Sequence, residues 1–172
     1  MSGDDRRAGD PVVDEERLQE IADLGMTAPE VDAELQRIAT HAAERLNLPI
    51  GIVSIVLDRA QYYAASHGLT GWAAEVRGTP VEWSFCAHAV RSREPFVVED
   101  ARLNPLVREN PLVQNEGIRC YAGIPLITSR GHALGTLCVA GTEQHSFGPE
   151  DLDSLRALAR EAMDHIERRR KP

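Results

Sequence analysis

The chain has 172 residues, 42% of them hydrophobic and 27% charged, which suits one domain with a substantial core and is too short for two ordinary ones. A formal net charge of −8 argues against nucleic-acid or anionic-membrane partners, both of which call for excess Lys and Arg. There is no apolar run of bilayer length, no apolar signal-peptide core in the polar N-terminus, and only three widely spaced cysteines, so the expectation is a soluble, cytoplasmic protein without a disulfide framework.

Residues 1–13 lack periodicity and read as a flexible leader. From Asp14 the pattern turns helical, with Leu18, Ile21 and Leu24 in one stripe that Gly25 ends. Thr27-Ala-Pro-Glu30 has the form of a capping box. It predicts a second helix with Val31, Leu35, Ile38, Ala42 and Leu46 on one face, stopped by Asn47 to Pro49.

At Ile50 the period changes. Ile50 to Leu57 is apolar on both alternating faces, as expected of a strand covered on both sides. Asp58 to Ala60 is too short for a parallel crossover, so Gln61 to His67 returns antiparallel. Gly71 to Val76 reads as a turn of helix, and Ser84 to Arg91 as a helix capped by Ser84. Phe96 to Glu99 is a short strand. Residues 100–118 form a long loop with one helical turn near Leu106 to Glu109, and a loop of that length inside a domain is usually functional or a lid. Arg119 to Ile127 and Leu134 to Ala140 make a second hairpin across Ser129 to His132.

Pro149 opens the last helix, with acidic residues in its first turn and Arg168 to Lys171 in its last, as the helix dipole favours. That placement explains the basic cluster without a nucleic-acid partner. Leu152, Leu155, Ala159, Ala162 and Ile166 follow a 3-4 spacing that fits packing on the sheet, alone or together with a partner helix. The organisation expected is a leader over 1–13, a helix over 14–27 and one domain over 28–172. Its class is α+β, an antiparallel sheet with terminal helices on one face and short helices plus the long loop on the other.

Six segments in order carry a resemblance: Trp83 to Ala89 (WSFCAHA), Pro95 to Asp100 (PFVVED), Asn110 to Val113 (NPLV), Arg119 to Leu126 (RCYAGIPL), Leu134 to Val139 (LGTLCV) and Phe147 to Leu152 (FGPEDL). Together they resemble the GAF domain family over roughly residues 28–167. The resemblance implies a GAF-like fold with a six-stranded antiparallel sheet, a small-molecule pocket under the short helices and loop, and a homodimer formed through the terminal helices. It also implies a sensory or regulatory module in signalling, responding to a small molecule or to redox state. The ligand is left unnamed. The output is expected from a separate signalling protein, or from a longer protein of which this chain is a piece.

Three family ligands are disfavoured by what the matching positions hold. Cyclic-nucleotide-binding members carry an Asn-Lys pair where this chain has Ala140-Gly-Thr142. Bilin-binding members commonly use a cysteine in the segment matching residues 100–118, which has none. Haem-binding members use a histidine where this chain has Gln114 to Gly117.

The candidate pocket residues are Tyr63 on the second strand, Trp83, Phe85, Cys86 and His88 around the short helix, and Asp100, Arg119 and Tyr121 bordering the long loop. They combine apolar walls with a few convergent polar groups, as ligand sites do. The three aromatics Trp83, Phe85 and Tyr121 suit a core better than a pocket, and Asp100 also suits a turn cap. Arg119 would meet an anionic group, and His88 would donate a hydrogen bond.

Cys86 in a first helical turn is placed for thiolate character. Free methionine sulfoxide reductases, a GAF-related enzyme family, have a cysteine at a similar place, which leaves a thiol enzyme using Cys86 as an alternative to a non-enzymatic binding module. A purely structural dimerisation domain is a third reading. The loop lacks the resolving cysteine that such a reductase needs, and neither Cys120 nor Cys138 is an obvious substitute. Cys86 and His88, two apart on a helix, point about 200° apart and cannot act as a nucleophile–base pair. The six histidines show no metal-ligand spacing, so no metal is expected.

Overall fold

Two β-hairpins meeting along their edges organise the chain. In the structure, a computed structural model, residues 9–170 are described, apart from the side chains of residues 72 and 73; residues 1–8 of the expected leader lie outside the described residues. The strands are β1 (Ile50–Val56), β2 (Ala60–His67), β3 (Gly78–Pro80), β4 (Phe96–Val98), β5 (Cys120–Ile127) and β6 (Ala133–Gly141). They form one antiparallel sheet in the order β3-β2-β1-β6-β5-β4, an α+β architecture of the expected kind. After the expected short helix α3 (Gly71–Val76), β3 was not legible as a strand, being three residues long and ending in Pro80 at the sheet edge, where a missing N–H is tolerated.

One face of the sheet carries α1 (Glu15–Asp23), α2 (Ala33–Arg45) and α6 (Pro149–Glu167). Period-two alternation aims Val53, Ile55, Ala122, Ile124, Leu137 and Val139 at these helices, where they pack with Ile21, Leu35, Ile38 and Leu155. The approach of α2 is close. A Cβ on Gly51 would sit 2.1 Å from the Ala39 carbonyl oxygen and 3.1 Å from the Ala43 methyl, so only glycine fits beneath that helix.

Two helix boundaries depart from expectation. The Thr27 capping box does not form. Asp32 caps α2 instead, its Oδ1 accepting from the Glu34 and Leu35 amides at 2.9 and 3.1 Å, and Val31 stays exposed. The Ala28 and Pro29 carbonyls are taken by Tyr62 Oη and Arg77, which holds the preceding segment outside the helix. In the long loop, residues 105–109 form a hydrogen-bonded turn where one was expected, Arg108 N donating to Asn104 O at 2.9 Å, and the α-helical turn comes after it as α5 (Pro111–Gln114), which Asn110 caps and Pro111 opens.

On α6, Leu155, Leu158, Ala159, Ala162 and Ile166 are buried against this chain's own sheet and α2. Its C-terminal end is clamped by ion pairs. Arg170 and His132 reach the buried Glu20 carboxylate of α1 at 2.6 and 2.8 Å, and Thr128 Oγ1 donates to it at 2.6 Å. Arg169 and His165 bind Asp32 at the start of α2, His165 at 2.8 Å.

Residues 10–13, expected in the leader, belong to the fold. Pro11–Val13 form a 3-10 turn capped by Asp10, Val12 is buried, and Asp10 pairs with Arg91 at 3.1 Å. The segment is held by Arg17, which is 2% exposed. Its guanidinium donates to five carbonyls: Pro11 at 2.9 Å, Val12 at 2.9 Å, Val56 at 2.7 Å, Ala133 at 3.1 Å and Leu134 at 3.3 Å. Burial pushes the group down to about 10, while Asp14, Asp10 and Asp58 favour the cation, so it stays charged at neutral pH.

Arg17→Ala is therefore expected to lower the unfolding free energy by at least about 3 kcal/mol in urea denaturation, because several buried carbonyls lose their donor at once. Arg17→Lys should recover only part of this, since an ammonium cannot fork between strands. A loss below about 1 kcal/mol for Arg17→Ala would contradict the clamp.

Asp32 gives a pH signature. Burial pushes its carboxyl up, but His165, the Leu35 amide and Arg169 outweigh that and bring it to about 2. A depressed carboxyl stabilises the fold above the unfolded-chain value of about 4, and the contribution is lost as pH falls toward 2. Asp32→Asn keeps a capping oxygen and removes the charge. The stability gap between wild type and this variant should be full at neutral pH and shrink across that acid window; a gap unchanged by pH contradicts the assignment.

Candidate functional site

The same alternation that feeds the helical face sends the intervening residues to the other side. Ile50, Ile52 and Ser54 of β1, Gln61 and Tyr63 of β2, Tyr121 and Gly123 of β5, and Thr136, Cys138 and Ala140 of β6 share that face. Over them lie the 3-10 turn Val81–Trp83, α4 (Cys86–Ser92) and the 100–118 segment. Between the layers is a cavity of about 310 Å³, near the lower end of small-molecule sites.

Its walls are mainly apolar, with Ile50, Ile52, Phe85, Leu112, Ile118 and Ala140 among the lining residues. Leu112, Glu116 and Ile118 face Gly68, Leu69 and Thr70 across one end, where Glu116, Gly68 and Thr70 are exposed and the cavity meets solvent. No Lys, Arg or His lines it among the described residues.

A saturated amide forms one polar wall. Gln61 Oε1 accepts from Ser54 Oγ at 3.0 Å and Ser84 Oγ at 2.6 Å; its Nε2 donates to Thr79 Oγ1 at 3.2 Å and Tyr63 Oη at 3.4 Å. Ser84 Oγ also accepts from the Ala87 amide at 3.1 Å, so it caps α4 as expected, from one residue further out. The network locks the junction of β1, β2 and α4, and Tyr63 and Thr79 are among the residues that line the cavity. Burial pushes the Tyr63 phenol up, so it keeps its proton.

The second polar group is built on Cys86. Tyr121 Oη and Thr136 Oγ1 each donate to its sulfur at 3.0 Å, and Cys138 Sγ lies 3.9 Å away. Register explains the meeting: Gly123 and Ile52 are the cross-strand neighbours of Cys138, and Tyr121 lies two residues before Gly123 on the same face. With no side chain at Gly123, the Tyr121 ring lies down over it; a Cβ there would be 2.2 Å from Tyr121 Oη. Burial raises the Cys86 thiol, but its contact with Cys138 and the hydroxyl donors of Thr136 and Tyr121 outweigh it, and the result lies below the ordinary thiol range. Cys138 is held up by the Cys86 sulfur beside it and by burial, as is Tyr121 by burial.

Of the eight candidate residues, Tyr63, Phe85, Cys86 and Tyr121 line the cavity. Four do not. His88 lies outside the cavity and packs on Phe96 of the edge strand β4, ring centroids 4.8 Å apart, its imidazole pushed down by burial and by Arg91. With Trp83 it borders a separate surface hollow that also includes Val12 and Leu106. Asp100 caps the 3-10 turn Ala101–Leu103 and pairs with Arg102 at 3.0 Å. Arg119 meets no anion-binding space: its guanidinium donates to the Val113 and Ile118 carbonyls at 2.8 and 3.0 Å and pins the loop that roofs the cavity.

Sequence reasoning missed Gln61, Thr79, Glu116 and above all Cys138. The first carried a readable signal, a polar residue alternating into a buried face. Cys138 carried none without the strand register. Cys120 sits at the sheet end against Gly141, away from the cavity.

A sequence model of the GAF domain matches residues 31–167. Over 156 residues the chain is 38% identical to a cyclic di-GMP phosphodiesterase of Pseudomonas aeruginosa; the match takes in 89% of this chain and only 26% of that protein. In three dimensions it resembles the GAF domain of a phosphoenolpyruvate-protein phosphotransferase from Coxiella burnetii, with a TM-score of 0.65 and 23% identity over 89% of this chain and 93% of that one. It also resembles a type II free methionine-R-sulfoxide reductase from Thermoplasma acidophilum, with a TM-score of 0.64 and 14% identity over 79% and 92%. Likeness at these identities shows the fold alone.

The Tyr121 arrangement predicts a cost for filling the space beneath it. Gly123→Ala should displace the phenol from Cys86 and lose about 1–3 kcal/mol in urea denaturation, and Tyr121→Phe, which removes only the hydroxyl, should lose less. Equal stability of Gly123→Ala and wild type would mean the ring does not depend on that space.

Proposed function

We propose that this chain, which belongs to the GAF domain family, is a regulatory sensing module whose cavity binds a small, uncharged molecule. The observation that carries the reading is the cavity itself: a mainly apolar lining surrounds about 310 Å³, and the hydroxyl-bearing Tyr63 and Thr79 are among its lining residues. A guest with a ring-sized apolar body and one or two hydrogen-bonding groups suits this lining. Phosphate-bearing guests do not, because no Lys, Arg or His lines the cavity among the described residues. The regulatory role is supported by the family and by the roof, where Leu112 and Ile118 sit on a loop whose position depends on Arg119.

A guest that lifts or seats this loop would change the packing of α4 and, through the sheet, that of α1 and α6. The chain spans about a quarter of the phosphodiesterase it matches, so the proposed role here is control of a signalling activity, such as cyclic di-GMP turnover, carried elsewhere.

The test is native mass spectrometry on protein isolated from its host, with the released small molecules identified after denaturation. A retained guest, absent from Ala140→Phe because the ring fills the cavity, is the expected result. Bare protein in every preparation, together with no thermal shift from a library of small neutral metabolites, would sink the proposal.

A further inference from the structure

The cavity wall holds two of the chain's three cysteines in van der Waals contact, a placement that ligand binding does not explain. We propose that Cys86 and Cys138 form a peroxide-reactive thiol pair that closes to a disulfide in the wall of the cavity. The inference stands on geometry independent of any guest.

First, the sulfurs are 3.9 Å apart and both face the cavity, which is open to a molecule as small as hydrogen peroxide. Reaching the S–S bond length of about 2.05 Å calls for an approach of about 1.9 Å, within the reach of side-chain rotation and a small movement of α4 against β6. Second, the two thiols are unequal. Cys86 receives the Tyr121 and Thr136 hydroxyl donors at 3.0 Å each, which stabilise its thiolate, whereas Cys138 faces that sulfur and holds its proton. That is the asymmetry of an attacking and a resolving thiol. Third, Cys120 is excluded by position: it is buried against Gly141 and does not line the cavity.

The chemistry balances with hydrogen peroxide as oxidant. The Cys86 thiolate attacks one peroxide oxygen, the O–O bond breaks, and the departing hydroxide takes a proton to leave as water, giving a sulfenic acid on Cys86. The Cys138 sulfur then attacks the Cys86 sulfur, its proton and the sulfenic hydroxyl leaving as a second water. Two thiols are oxidised by two electrons and one peroxide is reduced to two waters. The disulfide takes from Tyr121 and Thr136 the thiolate to which they donate and draws α4 toward β6, so the cavity changes shape.

The experiment treats the reduced chain with hydrogen peroxide and reads intact mass, non-reducing peptide maps and thiols in denaturant. Wild type should become lighter by two hydrogens, with a single Cys86–Cys138 cross-linked peptide, and its thiol count should fall from three to one. A dithiol reductant should reverse both. Cys138→Ser should stop at a sulfenic acid on Cys86, trapped by a dimedone adduct, and Cys86→Ser should leave Cys138 unmodified under the same conditions. The proposal is overturned if wild type gains oxygen without cross-linking, if the cross-link involves Cys120, or if all three thiols survive. These readouts do not involve a ligand, so their failure leaves the sensing role untouched, and an empty cavity leaves them untouched.

Discussion

The register of β1, β5 and β6 decides which side chains meet over the cavity. Side chains alternate with a period of two, so a slip of one residue between β5 and β6 would send Tyr121 to the helical layer and bring Ala122 beneath α4. The burial of both faces opposes such a slip, and Arg17 fixes the alignment of the neighbouring pair: three of its five hydrogen bonds go to β1 at Val56 and to β6 at Ala133 and Leu134. A buried cation held only by carbonyls is costly to assemble, and it tolerates no alternative strand alignment that would leave those donors unmet. The Cys86 cluster and the Gln61 wall inherit their geometry from that alignment.

The fold was largely legible because the sequence repeats its message at several levels. Ile50 to Leu57 is apolar on both faces, the Asp58 to Ala60 link permits only a hairpin, and Pro149 with its acidic neighbours opens α6. At the start of α2 the local pattern pointed to Thr27, and the cap that forms, Asp32, was not read from it. The outcome goes with Tyr62 on β2 and Arg77 just before β3 taking the Ala28 and Pro29 carbonyls, contacts made from residues distant in the chain.

Half of the candidate site was legible, and the missing half has one cause. Neighbourhood in the chain was read as neighbourhood in space. On α4, Cys86 and His88 point in opposite directions, so the turn of helix that aims the sulfur at the sheet aims the imidazole at Phe96. Arg119 and Asp100 border the loop, yet each finds a nearer partner, a loop carbonyl or the adjacent Arg102, before any guest. Cys138 is the converse case: it is 52 positions from Cys86, and only the assembled sheet with α4 seated on it brings the two together.

The stretch from Asp10 to Asp23 rounds the end of the sheet, with Val12 buried in the layer that holds the cavity and Ile21 buried in the layer of the long helices. Six hydrogen-bonded strands otherwise keep those two hydrophobic clusters apart. One short strap of covalent backbone therefore joins both, and melting of either layer pulls on the other directly. The domain gains cooperativity from this wrapping, and a disturbance beside the cavity has a second route to the far side that bypasses the strands.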